Sequence, residues 1–287
     1  MLPPVIGVLF DGLAYGMLLF LLSVGQSVTL GMMNFINLAH CSFAMLGGYL
    51  TVTLMSRYGW PFFATLPCAF IVAAVVSVGF ERTLFRRLYR ASELDQVLLT
   101  IGLVFISVAA AAYVFGTDQQ PLQLPHYLRS SLTFMGIRFA VYRLVLVGLA
   151  LLITVALVLG LDYTRFGARV RASVDNERMA RGLGINVDRT FAITFALGSG
   201  LAGLGGALAV EIVGLDPSFA FTYLIYVLIV VSVGGLGSIS GSLAAAIVLG
   251  ISDVAGKYYI PQLGAFLIYL VMISLLMWRP LGLLGKR

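Results

Sequence analysis

Long apolar stretches, each closed by a charged residue, a proline or a cluster of glycines, recur along the whole chain. They fall near residues 5–28, 35–56, 61–80, 94–116, 141–161, 191–213, 222–238, 241–256 and 262–278. An α-helix of about 20 apolar residues matches the roughly 30 Å hydrocarbon core of a bilayer. The pattern therefore predicts an all-α fold: a polytopic membrane bundle of eight or nine transmembrane helices over residues 1–287, organised as a single domain. Some Gly-rich segments are expected to be broken or re-entrant. The first run has no basic flank and no small-residue cleavage site, and reads as a retained span rather than a signal peptide.

Composition agrees. Hydrophobic residues make up 60% of the chain and charged residues 10%, against about 45–50% apolar content in ordinary soluble domains; mean hydropathy is +1.02. The basic residues alternate in density between successive loops. One set holds Arg82, Arg86, Arg87 and Arg90, then Arg165, Arg169, Arg171, Arg178, Arg181 and Arg189, then Arg279, Lys286 and Arg287. The other holds only Arg57, Arg129, Arg138, Arg143 and Lys257. Short cytoplasmic loops carry the excess of Lys and Arg, so the first set is assigned to the cytosol, the N-terminus to the outside and the C-terminus to the inside. Membrane topology thus accounts for the net charge of +6, and no basic, aromatic-interleaved patch points to nucleic acid. Cys41 and Cys68 lie in apolar spans and read as small buried hydrophobes.

The longest cytoplasmic loop, about 162–190, contains "RASVDNERMARGLG" at 171–184. Charges alternate there with Val174, Met179 and Leu183, and Ala180 and Gly184 stand one turn apart, as on a helix that another surface approaches closely. A solvated linker helix and a docking helix for a cytoplasmic partner both fit this pattern. Gly182 weakens the helix by about 1 kcal/mol relative to alanine and is expected to end or bend it. The chain has no Gly-x-x-x-x-Gly-Lys-Ser/Thr loop and its lysines are Lys257 and Lys286, so no nucleotide-hydrolysing site is expected on it.

In "MNFINLAHCSFAMLGGYL", 33–50, Asn34, Asn37 and His40 recur every three residues in apolar sequence, a spacing that places them on one helical stripe. Polar groups facing lipid are costly, so these side chains are expected to face the bundle interior or water in a path. They either cap and hydrogen-bond a broken helix or line a route for solute. A second Gly-interrupted stretch, "VSVGGLGSISGS", carries Gly234, Gly235, Gly237 and Gly241. Transporters often place such segments in corresponding positions of two halves, which pairs it with Gly47 and Gly48; a tight turn between spans is the alternative. Gly198, Ala202, Gly206 and Ala209 recur at helical spacing and suit close helix packing. Asp11, Glu211 and Asp253 fall near span ends and make poor proton relays. Neither paired carboxylates, a nucleophile with its base, nor metal-ligand spacing suggests an enzyme or a metal site.

Several stretches, in order, resemble the permease subunits of branched-chain amino acid ABC transporters, the high-affinity leucine, isoleucine and valine uptake family. They are "DGLAYGMLLFLLSVGQSVTLGMMNFINLAHCSFAMLGGYL" at 11–50, "LLTIGLVFISVAAAAYVFGTDQQP" at 98–121, "RASVDNERMARGLGINVDRTFAITFALGSGLAGLGGAL" at 171–208, "VGGLGSISGSLAAAIVLG" at 233–250 and "RPLGLLGKR" at 279–287. The chain is similar to the shorter of the two permease types. The resemblance implies an importer in the bacterial inner membrane: a second permease subunit, a paralogue, two cytoplasmic ATPase subunits that bind ATP and Mg, and a periplasmic solute-binding protein docking on the extracytoplasmic loop at 117–140. This chain itself would bind no cofactor. A stand-alone secondary transporter or channel is the competing class, in which 171–184 would be only a linker.

The resemblance further implies that residues 171–185 couple the path to the ATPase through Arg171, Asn176, Arg178, Met179, Ala180, Gly184 and Ile185. Ala180 and Gly184 match the importer pattern Glu-Ala-Ala, three residues, Gly, whereas Arg178 and Met179 depart from it. It likewise implies a path formed by Asn34, Asn37, His40, Gly47, Gly48, Gly234, Gly235 and Gly237. After His40 the family commonly has Gly and an acidic residue, where this chain has Cys41 and Ser42. The solute is therefore expected to be a branched-chain amino acid or a related amide or organic acid.

Overall fold

The computed structural model describes residues 2–33, 35–89, 91–134 and 137–285; Asn34, Arg90, Lys286 and Arg287 lie outside the described residues. Apolar sequence folds as helix because only internal backbone hydrogen bonds satisfy N–H and C=O groups in lipid. In chain order the helices are α1 (Leu2–Met33), α2 (His40–Tyr58), α3 (Phe62–Phe80), α4 (Arg86–Leu88), α5 (Glu93–Phe115), α6 (His126–Arg129), α7 (Val141–Asp162), α8 (Arg165–Asp175), α9 (Glu177–Gly182), α10 (Val187–Val213), α11 (Phe219–Gly234), α12 (Ile239–Tyr259) and α13 (Gly264–Trp278). A π turn over Glu81–Phe85 joins α3 to α4 without interrupting the rod. Six segments are long and apolar enough to cross a membrane: Val5–Gly31, Phe62–Leu88, Glu93–Phe115, Val141–Asp162, Val187–Val213 and Ile239–Tyr259. α11 and α13 are shorter apolar helices. The chain is thus a multi-pass membrane protein.

The purely helical expectation is modified in one place. Ser131–Phe134 (β1) pairs antiparallel with Ile137–Ala140 (β2), with Leu132 opposite Phe139. This hairpin belongs to the 117–140 stretch and rests on the start of α1, where the Phe10 and Phe139 rings meet edge to face at 4.9 Å.

Small residues set the core. α10 lies at the centre, and its glycines let neighbours approach to backbone contact. A Cβ on Gly206 would strike the Ala44 carbonyl of α2, and one on Gly198 would stand 2.8 Å from the Gly25 carbonyl of α1. Ala202 and Ala209 are fully buried with them. The second tight pair is α1 with α12, where a Cβ on Gly12 would come within 2.7 Å of the Ile251 Cα. In the same pair the Ser27 and Ser242 hydroxyls hydrogen-bond at 2.9 Å. With no water to expel in hydrocarbon, such close packing supplies the dispersion that holds helices together.

The two sets of basic residues separate in space. The end of α1, α4, the 162–190 stretch, the α11–α12 turn and the C-terminal tail gather at one end, where Leu283 and Leu284 donate backbone N–H groups to the Val233 and Gly234 carbonyls. The 117–140 stretch, the start of α1 and the end of α12 lie at the other.

Candidate functional site

At the basic end, residues 171–184 are not one helix. Asn176 leaves the helical conformation and its side chain accepts a hydrogen bond from the Met179 N–H at 2.9 Å, capping a new helix, α9, of six residues. α9 stops where Gly182 weakens it. Gly184 then adopts φ +81°, its N–H bonds to the Arg181 carbonyl, and the Ile185 N–H reaches back to the Ala180 carbonyl. This is a Schellman end, which calls for glycine at the left-handed position. The spacing of Ala180 and Gly184 therefore records a helix stop: Ala180 is 1% exposed, packed inward, and offers no small-residue surface to a partner.

Ion pairs fix the tilt of α9. The Arg181 guanidinium donates to Glu177 Oε1 at 2.9 Å and to Asp188 Oδ1 at 2.6 Å, and Arg86 of α4 pairs with the same Asp188. Those hydrogen bonds, to Asp188 first and Glu177 second, hold Arg181 more firmly protonated than an ordinary guanidinium. Below them Tyr89 donates to Glu81 at 3.1 Å; burial, and then the Glu81 carboxylate, push its phenol up. Arg171 turns away from α9 and donates to the Leu161 carbonyl, closing the α7–α8 corner. What remains outward is Arg178, exposed, with Met179 at 66% and Leu183 at 78% exposure. Beside this face opens a cleft of about 670 Å³ bordered by Arg86, Arg87, Glu177 and Arg181. The Glu177–Arg181 spacing was readable as an i, i+4 pair; the link from Asp188 to Arg86 had no local signal.

The second candidate region is the break between α1 and α2. Residues 35–39 are not helical, so Asn37 and His40 do not share a helical stripe. Aromatic packing holds the break: the Phe35 ring lies 5.4 Å from Phe85 and 5.5 Å from Tyr89. Gln96 of α5 bridges it, accepting from the Ile36 N–H and donating to the Leu88 carbonyl, both at 3.1 Å. His40 Nε2 bonds the Leu22 carbonyl at 3.0 Å. Both polar atoms of Asn37 and His40 Nδ1, by contrast, are buried without a hydrogen-bond partner. So are the Gln26 amide, Ser199 Oγ and Thr51 Oγ1. Gln26 and Ser199 went unmarked in the sequence, although a lone amide inside the 5–28 run carried the signal applied to Asn37.

The glycines divide by position. Gly47 meets the Gly203 backbone of α10, and Gly48 lies against Leu215. Gly234, Gly235 and Gly237 form the α11–α12 turn, the last two at φ +95° and +77°, with Gly237 against Gly31. The structure does not bring them beside Gly47; they sit at the basic end, and Gly47 lies within α2. Cys41 and Cys68 are free. Among the described residues no group of three His, Cys, Asp or Glu is placed to hold a metal ion.

The family model described as branched-chain amino acid transport system, permease component, matches residues 8–276. The probable branched-chain amino acid transport permease protein LivH of Methanocaldococcus jannaschii is 30% identical, over 97% of this chain and 92% of its own length. The high-affinity branched-chain amino acid transport system permease protein LivH of Escherichia coli is 25% identical, over 97% and 94%. The corresponding LivM of Escherichia coli is 27% identical, over 93% of this chain and 68% of LivM. No solved structure gives a significant match.

Proposed function

Because this chain belongs to the branched-chain amino acid transport permease family, we propose that it forms one half of the membrane path of an ABC importer for a branched-chain amino acid or a related amide or organic acid. It is a transport subunit and not an enzyme. Its similarity to both LivH and LivM supports pairing with a second, paralogous permease subunit. ATP and Mg reside on two ATPase subunits, and a periplasmic binding protein delivers solute at the 117–140 hairpin. In this reading the basic end faces the cytosol of a bacterium, the protein sits in the inner membrane, and the helices α1, α2, α3, α5, α7, α10, α11, α12 and α13 supply the nine passes.

The observation that carries the reading is α9. A six-residue helix capped at both ends, pinned by Arg181 and Asp188, holds Arg178, Met179 and Leu183 in water on its outer face. Exposed apolar side chains on a rigid pedestal are poor solvent-facing design and good docking design. The polar break, with Asn37 and His40, supplies the path lining, and the packed glycines Gly47, Gly48, Gly234, Gly235 and Gly237 shape the helices around it.

Met179→Asp and Leu183→Asp change only exposed atoms, so the permease should insert and purify as the wild type does. An ATPase should co-purify with the wild type in mild detergent and be largely lost from both variants. A wild-type chain that purifies alone and moves solute in liposomes without ATP contradicts the reading, and favours a stand-alone carrier.

A further inference from the structure

A small cavity at the end opposite α9 carries an unusual charge arrangement. Asp253 of α12 is 1% exposed. Its Oδ2 accepts from Lys257 Nζ at 2.6 Å, while its Oδ1 is buried with no hydrogen-bond partner. Asp11 of α1 pairs with Arg143 of α7 on the same cavity wall. Carboxylates with basic partners thus exist in this chain, against the expectation that Asp11 and Asp253 simply reach the membrane interface. A buried charge with an open acceptor site is costly unless something donates to it, and charged groups within membrane segments face cavities and mark ion or substrate routes.

The cavity holds about 250 Å³, below the ~300–1,000 Å³ of pockets for drug-sized ligands, and so suits a small metabolite. Its walls offer both signs of charge. Asp253 Oδ1 lacks a donor, and the Arg143 guanidinium has more donors than its pairing with Asp11 consumes. Ile212, Val213 and Val254 provide an apolar side. We propose that this cavity is a zwitterion-binding vestibule, in which the ammonium of an α-amino acid donates to Asp253, its carboxylate accepts from Arg143, and its aliphatic side chain lies on Ile212 and Val213. The proposal rests on the importer reading above and assigns that importer an amino acid rather than an amide or an organic acid. Water would satisfy Asp253 equally well but would not require the opposed charge of Arg143.

The test uses the purified permease–ATPase complex without the binding protein, with thermal stabilisation as the readout, since a ligand that binds the folded state raises its melting temperature. L-leucine is the probe, with leucinamide, which lacks the carboxylate, and 4-methylpentanoate, which lacks the ammonium, as controls. L-leucine should stabilise the wild type and the two controls should not. Asp253→Asn and Arg143→Gln should each weaken leucine binding by about tenfold or more, with Asp253→Glu restoring part of it, and all three should retain the ATPase. Equal stabilisation by leucinamide, no stabilisation by leucine, or unchanged binding in both charge-removing variants overturns the vestibule. If the complex still imports leucine in any of those cases, only the vestibule falls. If no ATPase accompanies the wild type, or the full system imports no α-amino acid, the importer reading fails and the vestibule with it.

Discussion

Two polar interruptions of an apolar chain end up in opposite circumstances. In the 171–188 stretch Asn176, Glu177, Arg181 and Asp188 find partners, and the apolar Met179 and Leu183 are left in water. Around the α1–α2 break, Phe35 is packed away, and Gln26, Asn37 and one nitrogen of His40 are left dry and unpartnered. A buried amide without a partner costs about 1–3 kcal/mol, so folding does not explain its presence; a solute or water file that visits it does. An exposed Leu on a capped helix has the complementary explanation, a partner that covers it. Unsatisfied groups, polar inside and apolar outside, mark where this molecule meets something else.

The largest break of the comparison comes from the scaffold between the two regions. Gly206→Leu drives a side chain into the Ala44 carbonyl and should destabilise the bundle by about 3 kcal/mol or more. Loss of the monodisperse peak in detergent size exclusion checks this, and both regions should fail together. Next in size, Gly184→Ala places a Cβ at φ +81°, which costs about 1–2 kcal/mol. Asn176→Ala removes the cap at about 1 kcal/mol. Both costs fall on α9 alone. Hydrogen exchange should accelerate over 177–185 and ATPase co-purification should weaken, while the melting temperature of the bundle stays put. A global loss of stability would show that α9 is part of the core rather than a pedestal on it.

How much of this was legible in the sequence depends on what decides each feature. The membrane passes were legible because the bilayer forces long apolar runs, and every predicted run coincides with a helix. Sidedness of charge was legible in the same way: the sparse set of basic residues, Arg57 to Lys257, gathers at the end away from α9. The break before His40 was not. Three-residue spacing of Asn34, Asn37 and His40 satisfies a helix, and only the distant rings of Phe85, Tyr89 and Phe195 around Phe35 determine otherwise. Ala180 and Gly184 were found for the wrong physical reason, since two small residues one turn apart read the same whether they admit a neighbour or end a helix. The Asp253–Lys257 pair has the i, i+4 spacing of an ordinary surface pair; its burial depends on α1 and α11, which no local pattern reveals.

The central claim is that the unpartnered polar groups at the break serve transport and not folding. It is tested by Gln26→Leu, a substitution of similar volume, measured for melting temperature, ATPase retention and solute uptake in the same reconstituted complex. The account predicts a melting temperature equal to or above the wild type, full ATPase retention and a large loss of uptake. A complex that melts lower and yet transports at the wild-type rate per folded molecule would contradict it.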